Sequence, residues 1–287
     1  MSHNIMATKQ VMQHLSTLEP SLRMFRISSD LLPVYTESNW SYFWQQHDVK
    51  NYAEKHFNEI GDIARKNNIR VSFHPGQFCC LASDNEDVVR RSIEEFEYHA
   101  DMARWMGYGQ QFQDMKINVH IAGRRGVEGI KAAYKQLSAE ARNCITIENE
   151  EITHGLSECL ELSDTIPIVL DLHHHLIHDE EYIQSSDTRI SQIIDSWRGI
   201  RPVLHYSVSR EDVLVDHTIN EKPNIQLLLE NGYKKSKLRA HSEYFWNEAV
   251  NLWALEFLDN FDIMCEVKSK NLASFTLHDL AKQYQLT

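Results

Sequence analysis

Six positions in this sequence place a potential metal ligand directly after a short apolar run: His74, His120, Glu148, Asp171, His205 and Glu266. The run before Asp171 sets the pattern. Ile166-Pro167-Ile168-Val169-Leu170 is almost wholly apolar, β-branched in three places and too short for a helix, which predicts a strand buried on both faces. It ends in Asp171 and, after Leu172, in His173, His174 and His175. An apolar strand that delivers Asp and His at its carboxyl end is how a parallel α/β barrel places metal ligands at its active face. A single buried histidine at a strand end is usually a hydrogen-bonded core residue, and a surface turn can hold polar residues by chance. Six such ends at one barrel mouth are harder to explain that way, because unpaired ionisable groups there would repel or stay unsatisfied. Divalent cations remove that cost, so the repetition points to a multinuclear metal site.

The elements that must position these ligands alternate along the chain. Helices are expected over Asn4–Leu18, Val49–Lys66, Glu86–Met106, Val127–Leu137, near Leu156–Leu162, over Thr188–Trp197 and Ser242–Leu258, and at the end of the chain. Strands are expected at Met24–Ser28, Ile69–Phe73, Lys116–Val119, Cys144–Ile147, Ile166–Leu170, Pro202–Leu204 and Asp262–Cys265. Leu31–Trp44 reads as a long aromatic-rich loop. Ser207–Ala240 reads as a polar insertion holding the basic run Lys234-Lys235-Ser236-Lys237-Leu238-Arg239. Alternating strand and helix implies a parallel sheet, hence an α/β fold. A closed barrel of this kind has eight strands, and seven are found here. The sequence starts in the helix that should follow the first strand, so either it is a truncated or alternatively started product or the barrel stays open at one edge.

Composition bounds the rest. With 287 residues, 42% of them hydrophobic, the chain can bury one large core, and we expect a single barrel domain over 1–287 interrupted near 207–240. The formal net charge of -12 opposes nucleic acid, so any DNA contact needs a local basic patch or bound cations. Five irregularly spaced cysteines suggest a reducing cytoplasm. No apolar run approaches the ~18 residues of a membrane span.

Taken in order, Phe25-Arg26-Ile27-Ser28, His74-Pro75-Gly76-Gln77-Phe78, Val119-His120-Ile121, Ile147-Glu148-Asn149-Glu150, Asp171-Leu172-His173-His174, His205-Tyr206-Ser207, Ala240-His241-Ser242 and Glu266-Val267-Lys268-Ser269-Lys270 resemble the ultraviolet-damage endonuclease family. The resemblance runs from about Phe25 to the end of the chain. It implies a TIM-type (β/α) barrel of the xylose-isomerase-like kind. It also implies two or three divalent cations, Mn²⁺ with Mg²⁺ or Zn²⁺ as alternatives, bound by His74, His120, Glu148, Asp171, His174, His205, His241 and Glu266. Glu148, Asp171, His205 and Glu266 would be the catalytic core of that set, while His174 and His241 lie on the loops that follow. His173, His175 and His178 would sit behind the ligands or in solvent.

Gln77 and Phe78 match the family pair that wedges into a duplex opposite a lesion, where an aromatic and an amide can replace lost stacking and hydrogen bonding. The alternative is a buried loop anchor. Lys268, Lys270 and the Lys234–Arg239 run are candidates for phosphate contact, although a solvated charged face explains that run equally well.

Three departures stand out. Val203 occupies the place of a family lysine, modified in some members to a carbamate that bridges metals, and valine coordinates nothing. Glu37 stands where a histidine ligand is expected, which conserves a metal donor but adds charge. The N-terminal strand that carries another lesion-probing aromatic does not appear, which predicts weaker discrimination of lesions.

The resulting expectation is a metal-dependent endodeoxyribonuclease of DNA repair, acting on damaged double-stranded DNA. It would nick 5′ of ultraviolet-type or other distorting lesions by metal-assisted phosphodiester hydrolysis. Two readings compete with it. A sugar isomerase or epimerase uses the same donor types on the same barrel, and a degenerate homologue would bind damaged DNA without cutting it.

Overall fold

The computed structural model describes residues 1–214 and 216–286. It comprises two compact units, Met1–Thr146 and Ile147–Thr287. Among the described residues there are seven strands, and the first element is a helix, Ser2–Leu15.

In the first unit that helix (α1) is followed by β1 (Met24–Arg26), α2 (Ser41–Trp44), α3 (His47–Lys66), β2 (Arg70–Phe73), α4 (Glu86–Trp105), β3 (Lys116–His120), α5 (Gly126–Tyr134) and α6 (Ala139–Cys144). β1 and β2 pair in parallel with Phe25 opposite Val71, and β2 and β3 with Phe73 opposite Ile117. The helices cover the sheet with apolar stripes. α3 buries Ala53, Phe57, Ile60 and Ala64, a spacing that keeps one face inward, and α4 buries Phe96, Ala100 and Ala103. Each fully buried large side chain here contributes roughly 1.5–3 kcal/mol. Asn85 starts α4 by accepting the amides of Asp87 and Val88 at 2.9 and 3.3 Å.

The expected loop at 31–44 is shorter than its sequence suggests, because residues 41–44 turn into α2 with Trp44 buried. Cys144 ends α6 instead of opening a strand. Ser138 caps that helix by accepting the Ala141 amide at 3.2 Å, a signal the strand reading passed over.

The second unit takes up β4 (Ile145–Glu148) at Ile147 and continues with α7 (Leu156–Leu160), β5 (Ile168–Val169), α8 (Leu172–Asp179), α9 (Thr188–Ser196), β6 (Val203–Tyr206), α10 (Ile225–Glu230), α11 (Lys235–Leu238), α12 (Glu248–Leu255), β7 (Asp262–Cys265) and α13 (Asn271–Gln283). Ile147 pairs with Ile168 in parallel, and β6 runs parallel to β7 from Val203–Asp262 to Tyr206–Cys265. The five-residue strand expected at 166–170 is buried, but only two residues form ladder. Pro167 has no N–H, and the Ile168 amide goes to the Ser196 hydroxyl at 3.1 Å.

Three further expectations need correction. His173, His174 and His175 lie on α8, not on a loop. The insertion is not a polar loop: Leu214, Ile225, Leu228 and Leu238 form an apolar cluster with Leu176 and Ile177 of α8. The helix expected from Ser242 begins only at Glu248, where Asn247 accepts the Val250 amide at 2.9 Å. Upstream of that cap the backbone is bonded elsewhere: the Ser242 amide donates to Val208, and the Ser242 and Glu243 carbonyls accept from Lys268 and Ser269.

Candidate metal centre

In the second unit, four of the expected ligands converge. Glu148 ends β4, Asp171 follows the β5 strand, His205 lies in β6 and Glu266 follows β7. One donor atom from each lies within 4.8 Å of all the others. The His205 Nδ1 atom is 3.2 Å from Glu148 Oε1 and 3.1 Å from Glu266 Oε1. A cation with bonds of roughly 2.1 Å holds neighbouring donors roughly 3–3.4 Å apart, so this spacing fits a shared ion. Glu148, Asp171 and His205 are fully buried.

Backbone pairing fixes these residues. The His205 amide donates to the Leu170 carbonyl at 2.8 Å, and the Glu266 amide to the Tyr206 carbonyl at 2.8 Å. Parallel strands therefore deliver their end residues side by side.

Asp171 has two tasks. It is the N-cap of α8, where Oδ1 accepts the His174 amide at 2.7 Å. Its other oxygen, Oδ2, is buried with no hydrogen-bond partner among the described residues. Burial is the main cause that raises the Asp171 carboxyl above its usual range. Glu148 and Glu266 add to this, while His174 and His205 oppose it. A buried carboxylate oxygen with no donor, beside two further carboxylates, fits a divalent cation far better than it fits a dry core.

The capping places His174 over the cluster. Its Nδ1 is 3.0 Å from the Asn149 carbonyl, 3.6 Å from Glu148 Oε1 and 3.9 Å from Asp171 Oδ2, and its Nε2 is 3.7 Å from Glu151 Oε2. Burial pulls this imidazole down, but Asp171, Glu148 and Glu151 outweigh it and hold it at about 9. His241 hydrogen-bonds the Glu266 carbonyl at 2.7 Å, and its ring lies 5.8 Å from that of His173 and 6.1 Å from that of His174. His173 is buried, and burial first, then His241 and His174, pushes it well below the ordinary imidazole range.

Two residues that the sequence reading left out support these ligands. Asn149 brackets the Asp171 backbone, accepting its amide at 2.8 Å and donating to its carbonyl at 3.1 Å. Glu151 bridges His174 to Arg239 of the insertion, whose guanidinium is 2.6 Å away. Asn149 sits directly after Glu148, and its position beside a ligand was the available signal. The Glu151–Arg239 pair spans 88 residues and left no local trace.

In the first unit, His74 and His120 follow β2 and end β3, with ring centroids 5.1 Å apart. His74 Nδ1 is 2.9 Å from the Pro75 carbonyl. Glu37 is not brought to them as a ligand. It is exposed, and the Asn39 amide donates to its carboxylate at 3.3 Å.

Phe78 is 86% exposed and Gln77 is exposed beside it, which overturns the buried-anchor alternative. The loop that presents them is firmly seated. The Cys79 amide closes a turn onto the Gly76 carbonyl at 2.9 Å, Cys79 is buried, and the Cys80 amide donates to Ser92 Oγ at 2.8 Å.

Half of the basic candidates of the second unit are paired, Arg239 with Glu151 among them. Lys235 meets Glu180 at 3.0 Å and Lys268 meets Glu243 at 3.1 Å, while Lys270 is exposed. Val203 is buried on β6, two residues before His205 and so on the same side of the strand. All five cysteines are free, and no helix among the described residues is long and apolar enough to cross a membrane.

Residues 1–287 match the model of the family described as UV-endonuclease UvdE. The "UV DNA damage endonuclease" of Bacillus cereus (strain G9842) is 28% identical over 268 residues, spanning 89% of this chain and 74% of that protein. Among solved structures, SacUVDE superposes with a TM-score of 0.76 at 26% identity, covering all of this chain and 88% of that one. Endonuclease IV from Thermus thermophilus is similar in fold alone, with a TM-score of 0.59 at 14% identity over 96% of this chain and 94% of that one. The fold is thus the α/β, TIM-type barrel class expected from the alternating elements.

Proposed function

This chain belongs to the UV-endonuclease UvdE family, and from that membership we infer that it is a DNA-repair endonuclease acting on damaged duplex DNA. We further propose that it nicks 5′ of ultraviolet-type or other distorting lesions by metal-assisted hydrolysis of the phosphodiester. The observation that carries the metal is the convergence of Glu148, Asp171, His205 and Glu266, with Asp171 Oδ2 buried and lacking a hydrogen-bond partner among the described residues. The alternative of a sugar isomerase or epimerase finds no support among the relatives, which are ultraviolet-damage endonucleases.

In this reading Glu148, Asp171, His205 and Glu266 hold divalent cations, Mn²⁺ first, with His174 and His241 beside them and His74 and His120 as the imidazole donors of the first unit. Bound cations would lower the pKa of a water and offset charge developing on phosphate and on the leaving 3′-oxygen. Every other role falls to the chain. His174 donates Nδ1–H to the Asn149 carbonyl, which fixes its ring and leaves Nε2 as its donor atom once deprotonated. Asn149 locks the Asp171 backbone, so the carboxylate keeps one oxygen for the helix and one for the ion. Gln77 and Phe78 enter the duplex where stacking is already weak, so selection follows deformability and not the chemistry of the damage.

The test is nicking of a supercoiled plasmid before and after ultraviolet irradiation, with Mn²⁺, with Mg²⁺ and with chelator. We expect preferential nicking of irradiated plasmid with Mn²⁺, and none with chelator or in Asp171→Asn. A wild-type protein that holds metal but never nicks irradiated DNA would leave the damaged-DNA binder in its place.

A further inference from the structure

The segment Trp40-Ser41-Tyr42-Phe43-Trp44 divides its aromatics between two directions. Trp44 is buried, with its ring centroid 5.2 Å from Tyr35 and 5.1 Å from Phe43. Tyr35 in turn packs at 4.7 Å from Tyr98 and 6.1 Å from Trp105 of α4. These inward rings anchor the segment. Trp40 and Tyr42 do nothing of the kind: they are 51% and 59% exposed, and their rings stack on one another, 6.4 Å between centroids and 27° between planes. Leaving two large near-parallel aromatic faces in water forfeits apolar burial, which points to a ligand that covers them.

Topology says where the pair stands. β1 and β2 are parallel neighbours, so the segments that follow them leave from the same end of the sheet. One carries Trp40 and Tyr42, the other His74, Gln77 and Phe78. The two segments are tied at their bases, where the Ser29 hydroxyl donates to the His74 carbonyl. Tyr98 fastens the first of them by donating to the Ser29 carbonyl and accepting the Leu32 amide, each at 3.0 Å. The segment that carries the aromatic pair therefore starts from the same end of the sheet as the wedge loop.

We propose that Trp40 and Tyr42 form a second stacking platform, which takes an unstacked nucleobase displaced when Phe78 enters the duplex. This rests on the reading of the chain as a lesion endonuclease. A base driven from the stack loses its neighbours, and an aromatic face restores that contact whichever base arrives. The platform carries no positive charge of its own, so it grips bases and not phosphates. It acts on DNA that is already distorted and adds little for an intact duplex, whose bases remain stacked.

The experiment measures binding of a fluorescein-labelled 30-base-pair duplex containing one thymine dimer, and of the same duplex undamaged, with Ca²⁺ in place of Mn²⁺. Wild type, Trp40→Phe and Trp40→Ala/Tyr42→Ala are compared by fluorescence anisotropy across a salt series. We expect the double variant to bind the damaged duplex about 5- to 150-fold more weakly, from stacking on one base. Its undamaged-duplex affinity and its salt slope should stay as in wild type, because stacking releases no counterions. Trp40→Phe should retain most of the affinity. Wild-type affinity of the double variant for the damaged duplex would overturn the proposal. So would an equal loss on both duplexes with a shallower salt slope, which would mark a backbone contact. A wild-type protein with no preference for the damaged duplex would instead sink the endonuclease reading on which the proposal stands.

Discussion

Replacing Asn149 by alanine tests whether the candidate metal centre is held as described without touching a proposed ligand. The Asn149 side chain is fully buried and makes two bonds, both to the Asp171 backbone. The two losses are unequal. The Asp171 carbonyl also accepts the His175 amide at 3.0 Å, so it keeps a partner, whereas the Asp171 N–H is left buried and unpaired. An orphaned buried donor costs about 1–3 kcal/mol and the lost bond at the carbonyl about 1 kcal/mol, giving a destabilisation of roughly 2–4 kcal/mol. The consequence for metal follows from leverage, because removing a group that orients a ligand lowers affinity by about 10–100-fold.

Two measurements check this: urea unfolding followed by circular dichroism, and Mn²⁺ affinity by competition with a chromophoric chelator. Asn149→Asp separates geometry from charge. It keeps an acceptor for the Asp171 N–H and adds a carboxylate beside Glu148 and Asp171. Its stability deficit should be largest without metal and shrink as Mn²⁺ is added, since an ion that binds only the folded state stabilises it. An Asn149→Ala protein within about 0.5 kcal/mol of wild type, with an unchanged Mn²⁺ midpoint, would refute the bracketing role.

Three further outcomes are expected. His99 is fully buried, and burial, opposed by its bond to the Glu95 carbonyl and aided by His74, lowers its imidazole to about 4. Its neutral form therefore contributes stability that is complete above the unfolded value near 6.5 and is lost as pH falls from there through 4, on the order of 3 kcal/mol; urea midpoints across that range should flatten in His99→Gln. Phe78→Ala should erode the preference for irradiated over undamaged DNA in the nicking assay while leaving metal content unchanged, and retained preference would remove Phe78 from the wedge. Val203 is buried on β6 and carries no donor atom, so elemental analysis should find fewer than three ions per chain, and three fully retained ions would show that other donors complete the site.

Much of the candidate site was legible because its residues stand at strand ends, where a local apolar run and one polar residue form a readable pair. Glu148, His205 and Glu266 required nothing more. Asp171 was read as a ligand, and that hid its second task. As the N-cap of α8 it starts a helix whose composition, Leu172-His173-His174-His175-Leu176-Ile177-His178-Asp179, looks polar although its histidines at 173–175 are buried. Hydrophobic periodicity cannot register a buried histidine, so the helix passed for a loop. The apolar residues of the insertion failed for a different reason. Leu214, Ile225, Leu228 and Leu238 have no common period, and their shared surface exists only once Leu176 and Ile177 are in place. The start of α12 was misplaced because Ser242 and Glu243 give their backbone groups to residues near 208 and 268, and sequence periodicity carries no sign of such bonds. Glu37 shows the limit of carrying a ligand over by position, since the residue at the matching place points into solvent.

Charge gives the remaining constraint on how a chain of net charge -12 can hold a polyanion. Lys235, Arg239 and Lys268 looked suited to phosphate, yet each is engaged by a glutamate: Glu180, Glu151 and Glu243. Drawing Arg239 away would also release Glu151 from the pairing that steadies it beside His174, so this arginine belongs to the ligand cluster before it belongs to DNA. Lys234, Lys237 and Lys270 are exposed and without an ion-pair partner among the described residues. Of the basic candidates, these three lysines are left to release counterions from phosphate. In the proposed reading, divalent charge held by Glu148, Asp171, His205 and Glu266, and aromatic surface at Phe78, Trp40 and Tyr42, would add forces that do not grow with lysine count. Such forces would act at the scissile phosphate and on bases already loosened from the stack, so that reading predicts a weak general hold on DNA together with a selective hold on damaged DNA.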